Sequence, residues 1–206
     1  MSMDGKHRSF QEQVEKQPDY RYDVRNEIII NNDTMIFEEE YNVKVLMLNG
    51  SAKANGNTYA SLLEVGRQLE KEGIEYEIFQ MGGEPVRDCL SCGQCTENGC
   101  VFADDKVNEF VAKAKEADGF VFGTPVYYAH PSGRVMSFLD RAFYSSGSAA
   151  FAFKPGASVA VARRGGTTAS FDAMNKYFGI CQMPVAGSTY WNQVHGAVPG
   201  EACQDE

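Results

Sequence analysis

Val43-Lys44-Val45-Leu46-Met47-Leu48-Asn49-Gly50-Ser51-Ala52-Lys53-Ala54-Asn55-Gly56-Asn57-Thr58 decides how the chain is read. Val43 to Leu48 is a short apolar run of the kind a strand shows when both its faces are buried. A loop of small polar residues follows, and the stretch from Thr58 to Lys71 then carries apolar residues at Leu62, Leu63, Val65 and Leu69, mostly on one helical face. A strand, a small-residue loop and a helix start make an anion site, because the first N–H groups of a helix lack partners and its dipole favours negative charge. Ser51, Asn57 and Thr58 can add side-chain donors, and Gly50 and Gly56 let a ligand approach the backbone. Two other phosphate motifs are excluded: Asn57-Thr58, not Lys-Ser/Thr, follows Gly56, and three spaced glycines are absent. An ordinary strand–helix turn would share this composition.

Working outward, Gly73 ends the first helix and Glu75 to Phe79 reads as a second strand. Asp104 and Asp105 can cap a helix reaching Ala117, with Val107, Phe110, Val111 and Ala114 inward. Gly119 to Gly123 is a third strand, Ser132 to Ser145 a third helix, Ala157 to Ala162 a fourth strand, Ala169 to Phe178 a fourth helix and Pro184 to Trp191 a fifth strand. Alternating strands and helices imply an α/β, doubly wound, five-stranded parallel sheet covered on both faces, in the flavodoxin-like order. This domain spans 42–206. Residues 1–41 form an N-terminal extension in which a hairpin from Glu27 to Glu39 is conceivable. Only Gly196 to Glu206 follow the fifth strand, too few for the helix that normally closes such a fold. Either the sequence is truncated or another element, such as Phe10 to Gln17, covers that face.

The 206 residues are 43% hydrophobic, enough for a globular core, and the net charge of −9 argues against a nucleic-acid partner. No apolar run approaches the roughly 20 residues of a membrane helix, and the polar stretch Met1 to Tyr20 is no secretory signal. The expected location is cytoplasmic, with no membrane partner.

Leu48-Asn49-Gly50-Ser51 with Gly56-Asn57-Thr58 resembles the phosphate loop of the NADPH-dependent FMN reductase family, in the flavodoxin-like superfamily. Gly123-Thr124-Pro125-Val126-Tyr127-Tyr128, followed by Gly133 and by Asp140-Arg141, is similar to that family's second flavin loop. The resemblance covers roughly 43–195. It implies FMN bound by Ser51, Lys53, Asn55, Gly56, Asn57 and Thr58 at its phosphate. At the ring it implies Pro125, Val126, Tyr127, Tyr128, Arg163, Arg164, Gly165 and Gly166. Tyr127 or Tyr128 can cover the ring face; either can equally be a core or interface residue. Arg163 and Arg164 can favour an anionic reduced flavin or cap a solvated turn. His130 lies in the second loop but is given no catalytic role, and no other catalytic residue is assigned.

The implied activity is transfer of electrons from NAD(P)H, a transient co-substrate, to a small acceptor such as a quinone, flavin or nitroaromatic. The implied assembly is a homodimer or homotetramer, for which Phe143, Tyr144, Phe151 and Phe153 offer apolar surface. Of six cysteines, Cys89-x-x-Cys92-x-x-Cys95-x4-Cys100 crowd one loop, which in a reducing compartment points to metal or redox chemistry. The spacing is similar to that of the iron–sulfur flavoproteins, whose compact motif holds a [4Fe–4S] cluster. This supports an alternative, an electron carrier fed by a ferredoxin-like donor. Metal-free thiols and zinc are the other readings of the same residues. Cys181 is expected to be a small buried hydrophobe.

Overall fold

A computed structural model describes residues 42–204. The expected hairpin at Glu27 to Glu39 and the segment Phe10 to Gln17 lie outside the described residues. The elements are β1 (Lys44–Asn49), α1 (Asn57–Lys71), β2 (Glu75–Gln80), α2 (Val107–Glu116), β3 (Gly119–Tyr127), β4 (His130–Pro131), α3 (Gly133–Ser145), β5 (Gly156–Ala162), α4 (Thr167–Ile180) and β6 (Gln193–His195). A 3-10 turn, Glu201–Gln204, follows.

The strands lie in the order β2-β1-β3-β5-β6, all parallel, and β4 folds back antiparallel on the end of β3. This is the doubly wound, flavodoxin-like arrangement. The order reverses between β1 and β3, and a parallel sheet brings the loops after every strand to one carboxyl edge. Register fixes that edge: Asn49 lies opposite Gln80 on one side and Gly123 on the other.

Alternation along β1 sends Leu46 and Leu48 to one face and Met47 to the other. The first face packs against Phe110 of α2, Phe138 of α3 and Phe178 of α4, in a core of interlocked phenylalanine rings. The second packs against Leu62, Val65 and Leu69 of α1. Cys181 is buried as expected, and burial pushes its thiol up.

Three expectations need correction. The last strand is not Pro184 to Trp191. Val185 makes one isolated bridge to Gly156, and the ladder proper is Gln193–His195. Val185, Tyr190 and Trp191 are exposed, so their apolar character reflects no buried strand face. Phe143 and Phe151 are not interface surface; they stack on one another in the core at 4.0 Å. Asp105 does accept the Val107 N–H at 3.1 Å, yet Lys106 occupies the cap position and the other carboxylate oxygen of Asp105 is used elsewhere.

Candidate functional site

The loop after β1 is held by its own edge of the sheet. Gly50 donates its N–H to Gly123 O at 2.9 Å, and a Cβ there would lie 2.2 Å from the Val135 side chain. Only glycine passes between β3 and α3 at this point. Buried Asn49 accepts the Ser51 N–H on its Oδ1 and donates from Nδ2 to Gln80 Oε1. Gln80 in turn donates to Ser51 O at 2.7 Å. Ser51 Oγ accepts the Lys53 N–H at 3.1 Å, which leaves its O–H to donate outward.

The helix that follows begins without a side-chain cap. The N–H groups of Asn57, Thr58 and Tyr59 precede its first turn bond, from Ala60 N–H to Gly56 O at 3.0 Å. They are the donors that an anion at this helix start would meet. Thr58 is buried beside Gly123, whereas Lys53 and Asn55 are exposed.

Asn57 differs from the expectation of a side-chain donor to phosphate. Its Nδ2 donates to Val198 O at 2.9 Å, and its Oδ1 accepts the N–H groups of Gly200 at 3.1 Å and Ala202 at 3.4 Å. The carboxamide oxygen and one amide N–H are taken up by the C-terminal segment, which draws the side chain toward that segment.

The second loop is a two-residue hairpin between β3 and β4. Tyr128 (φ +52°) and Ala129 (φ +58°) are both left-handed, at a turn that usually takes Asn-Gly. Thr124, fully buried, braces it by accepting the Ser132 N–H on Oγ1 at 3.1 Å. Pro125 accepts the same N–H on its carbonyl. Val126 is half-buried, Tyr127 is exposed and Tyr128 entirely so. Neither tyrosine is a core residue.

The third loop, Arg163 to Gly166, leads into α4. Arg163, Arg164 and Gly165 are exposed. Gly166 is left-handed (φ +101°), and a Cβ on it would come within 2.5 Å of Ala129 Cα. The second and third loops therefore touch. Thr167 and Thr168 are clamped to β6 by the Gln193 carboxamide, at 2.7 and 3.1 Å. The Glu201 carboxyl is held below the usual carboxylate range by the Ala197 and Val198 N–H groups, with Arg163 adding to the effect.

The cysteine loop leaves the sheet where Gln80 ends β2. Cys89, Cys95 and Cys100 are partly buried and Cys92 is exposed. The Cys95 thiol is pushed up, first by burial and then by Cys100, Cys92 and Cys89. Among the described residues no three such donors close to the spacing of a single ion, as zinc bound at about 2.3 Å would need. Four cysteines within twelve residues of one loop are the donor type that an iron–sulfur cluster takes.

Cys100 is the most firmly placed of the four. Its N–H donates to Asn108 Oδ1 and its carbonyl accepts from Asn108 Nδ2, both at 2.8 Å. Arg141, 1% exposed, donates from Nε to Cys100 Sγ at 3.4 Å, from Nη2 to Phe102 O at 2.6 Å, and from Nη1 to Asp105. Arg141 thus belongs to the cysteine loop rather than to the flavin loop that its sequence neighbourhood suggested. Asn49 and Gln80 are further positioning residues; a polar residue closing the apolar run Val45 to Leu48 is the signal that marks Asn49. Between this loop and α3 lies a cavity of about 500 Å³ lined by Met81, Pro85, Asp105, Lys106 and Phe138, away from the loop after β1.

The family model of NADPH-dependent FMN reductase matches residues 43–197. An iron–sulfur flavoprotein of Methanocaldococcus jannaschii is 31% identical over 172 residues, 80% of this chain and 89% of that protein. An NAD(P)H:quinone oxidoreductase from Methanothermobacter marburgensis superposes with a TM-score of 0.57 at 16% identity, over 77% of this chain and 89% of that one. A flavodoxin from the domain Archaea superposes at 0.52 and 14% identity, over 79% and 90%. These superpositions bear on the fold. The match over most of the folded domain, on a sheet whose carboxyl edge gathers the three loops just described, makes this chain a member of the NADPH-dependent FMN reductase family, an FMN-binding, NAD(P)H-dependent flavin oxidoreductase.

Proposed function

We propose that the chain passes electrons from NAD(P)H to a small acceptor, a quinone, free flavin or nitroaromatic, with FMN seated across the three loops at the carboxyl edge. The observation that carries this is the uncapped start of α1: the N–H groups of Asn57, Thr58 and Tyr59 precede its first turn bond, and the Ser51 hydroxyl on the loop before it keeps a donor. FMN supplies the capacity to accept two electrons from a nicotinamide and to release them singly or together. The protein's part is to bind and orient. Ser51 and the helix start would hold the phosphate, and the backbone of Pro125 to Tyr128 would supply polar contacts to the ring. The exposed Tyr127 and Tyr128 are free to cover its face, and the Arg163–Arg164 pair adds positive charge. Anaerobic NADH and NADPH oxidation with each acceptor class, on FMN-loaded protein, tests the reading. Turnover with at least one acceptor is expected; FMN-loaded protein that oxidises neither nucleotide would defeat it.

A second element is favoured by the Arg141–Cys100 contact. Cys89, Cys92, Cys95 and Cys100 hold a [4Fe–4S] cluster, through which a ferredoxin-like partner can exchange electrons. A cluster of this kind supplies one-electron capacity at a potential set by its surroundings. A buried guanidinium that donates to one cysteine sulfur suits a sulfur that ligates a cluster. About four irons per chain after anaerobic reconstitution are expected; iron well below one per chain leaves the plain flavin enzyme. A homodimer or homotetramer, covering Tyr128, Tyr190 and Trp191, completes the proposal and is read by sedimentation at micromolar concentration.

A further inference from the structure

We propose that Arg141 and Asp105 set the reduction potential of the cysteine-held cluster, Arg141 raising it and Asp105 restraining that rise. The inference rests on the cluster reading above and goes beyond it, to residues that ligate nothing. Arg141 sits on α3, 41 positions from Cys100 in sequence, with its guanidinium 1% exposed. Burying a guanidinium costs several kcal/mol unless it is paired, and Asp105 supplies the pair here.

Its bonds divide into two kinds. The carbonyls of Phe102 and Arg87 and the Asp105 carboxylate hold the fork in place. Nε–H faces the Cys100 sulfur. Cys100 cannot move away, because Asn108 grips its backbone from both sides. An N–H directed at a ligating sulfur, with a positive charge behind it, stabilises the reduced, more negative cluster and raises its potential. Asp105, 6% exposed, pairs with the guanidinium at Nη1 and takes back part of that charge. It is the cation that touches the sulfur, through Nε, so the pair is taken to act on it as a positive charge. Arg141 is thus a positioning residue for electron flow, with no contact to substrate required.

The opposite signs make the test specific. Asp105→Asn removes the negative charge and keeps one oxygen, which can face Arg141, while its NH2 replaces the oxygen that accepts Val107 N–H. The double variant Arg141→Gln/Asp105→Asn removes both charges and leaves no buried ion unpaired. Both are prepared anaerobically as FMN- and iron-loaded protein, with iron counted and cluster and flavin midpoints read separately by spectroelectrochemical titration. The cluster midpoint is expected to rise in Asp105→Asn and to fall in the double variant below the parent. The span between the two variants should be at least tenfold in the one-electron equilibrium, about 59 mV. The flavin midpoint should move less. Loss of packing alone would lower iron content in both variants and would not order their potentials. Parent protein with four irons and unordered midpoints overturns this inference and leaves the cluster standing. Parent protein without iron overturns the cluster reading and this inference with it.

Discussion

The carboxamide of Asn57, the first residue of α1, is bonded to the carbonyl of Val198, 141 positions away, at 2.9 Å. The N–H groups of Gly200 and Ala202 come to the same side chain. The helix start that would receive an anion is thereby tied to the C-terminal segment. Asn57→Ala removes three hydrogen bonds at a partly exposed place. It should cost about 1–2 kcal/mol in urea unfolding and open 196–204 to limited proteolysis. FMN affinity should change less than threefold, because the carboxamide is directed away from the phosphate place. A larger loss of FMN would restore Asn57 as a side-chain ligand.

Ser51 is expected to behave in the opposite way. Ser51→Ala keeps the buried position but removes a hydroxyl that can donate to a charged phosphate, a bond worth about 1.5–3 kcal/mol. The FMN dissociation constant should rise at least tenfold with the circular dichroism spectrum unchanged. Unaltered affinity in fluorescence titration would move the phosphate elsewhere.

Gly166→Ala places a methyl within 2.5 Å of Ala129 Cα at a φ of +101°. Backbone strain and the clash act together, and a loss of at least about 1 kcal/mol in stability is expected. The flavin-ring loops should loosen with it, seen as faster amide exchange over 126–132. Wild-type exchange there would mean that the two loops are held separately.

Glu77 on β2 meets Lys113 Nζ at 2.8 Å and Lys44 Nζ at 3.2 Å. Its carboxyl is held below the usual range, first by the Lys113 hydrogen bond and then by Lys44, against the opposing effect of burial. A lowered folded-state value gives stability that is complete above the unfolded value of about 4.3 and is lost as pH falls through the folded one. The parent should therefore exceed Glu77→Gln in stability at pH 7. The stability gap should shrink as pH falls below the unfolded value. A gap independent of pH would assign the effect to packing.

Much of the frame could be read from local pattern. Leu46 and Leu48 against Met47, and Val107, Phe110, Val111 and Ala114 at helical spacing, each carry their burial in their own periodicity. The last strand misled because Val185, Tyr190 and Trp191 are β-favouring yet exposed, and the true ladder at Gln193–His195 is too short to show a period. The Arg141–Asp105 pair is 36 positions apart, and no local pattern encodes such a contact. Asn57 and Thr58 look alike as donors in sequence. Only the returning C-terminal segment separates them.

Tyr128 and Ala129 stand in a turn that neither residue prefers, at a cost on the order of 1 kcal/mol each. What sustains the shape is outside the turn: Thr124 beneath it and the bare backbone of Gly166 against it. The two segments are consequently one inheritable unit. A chimaera that imports the hairpin from a relative without its glycine partner, or the reverse, receives a mismatched half. Redesign of acceptor preference by loop exchange has to move 124–132 and 163–167 together.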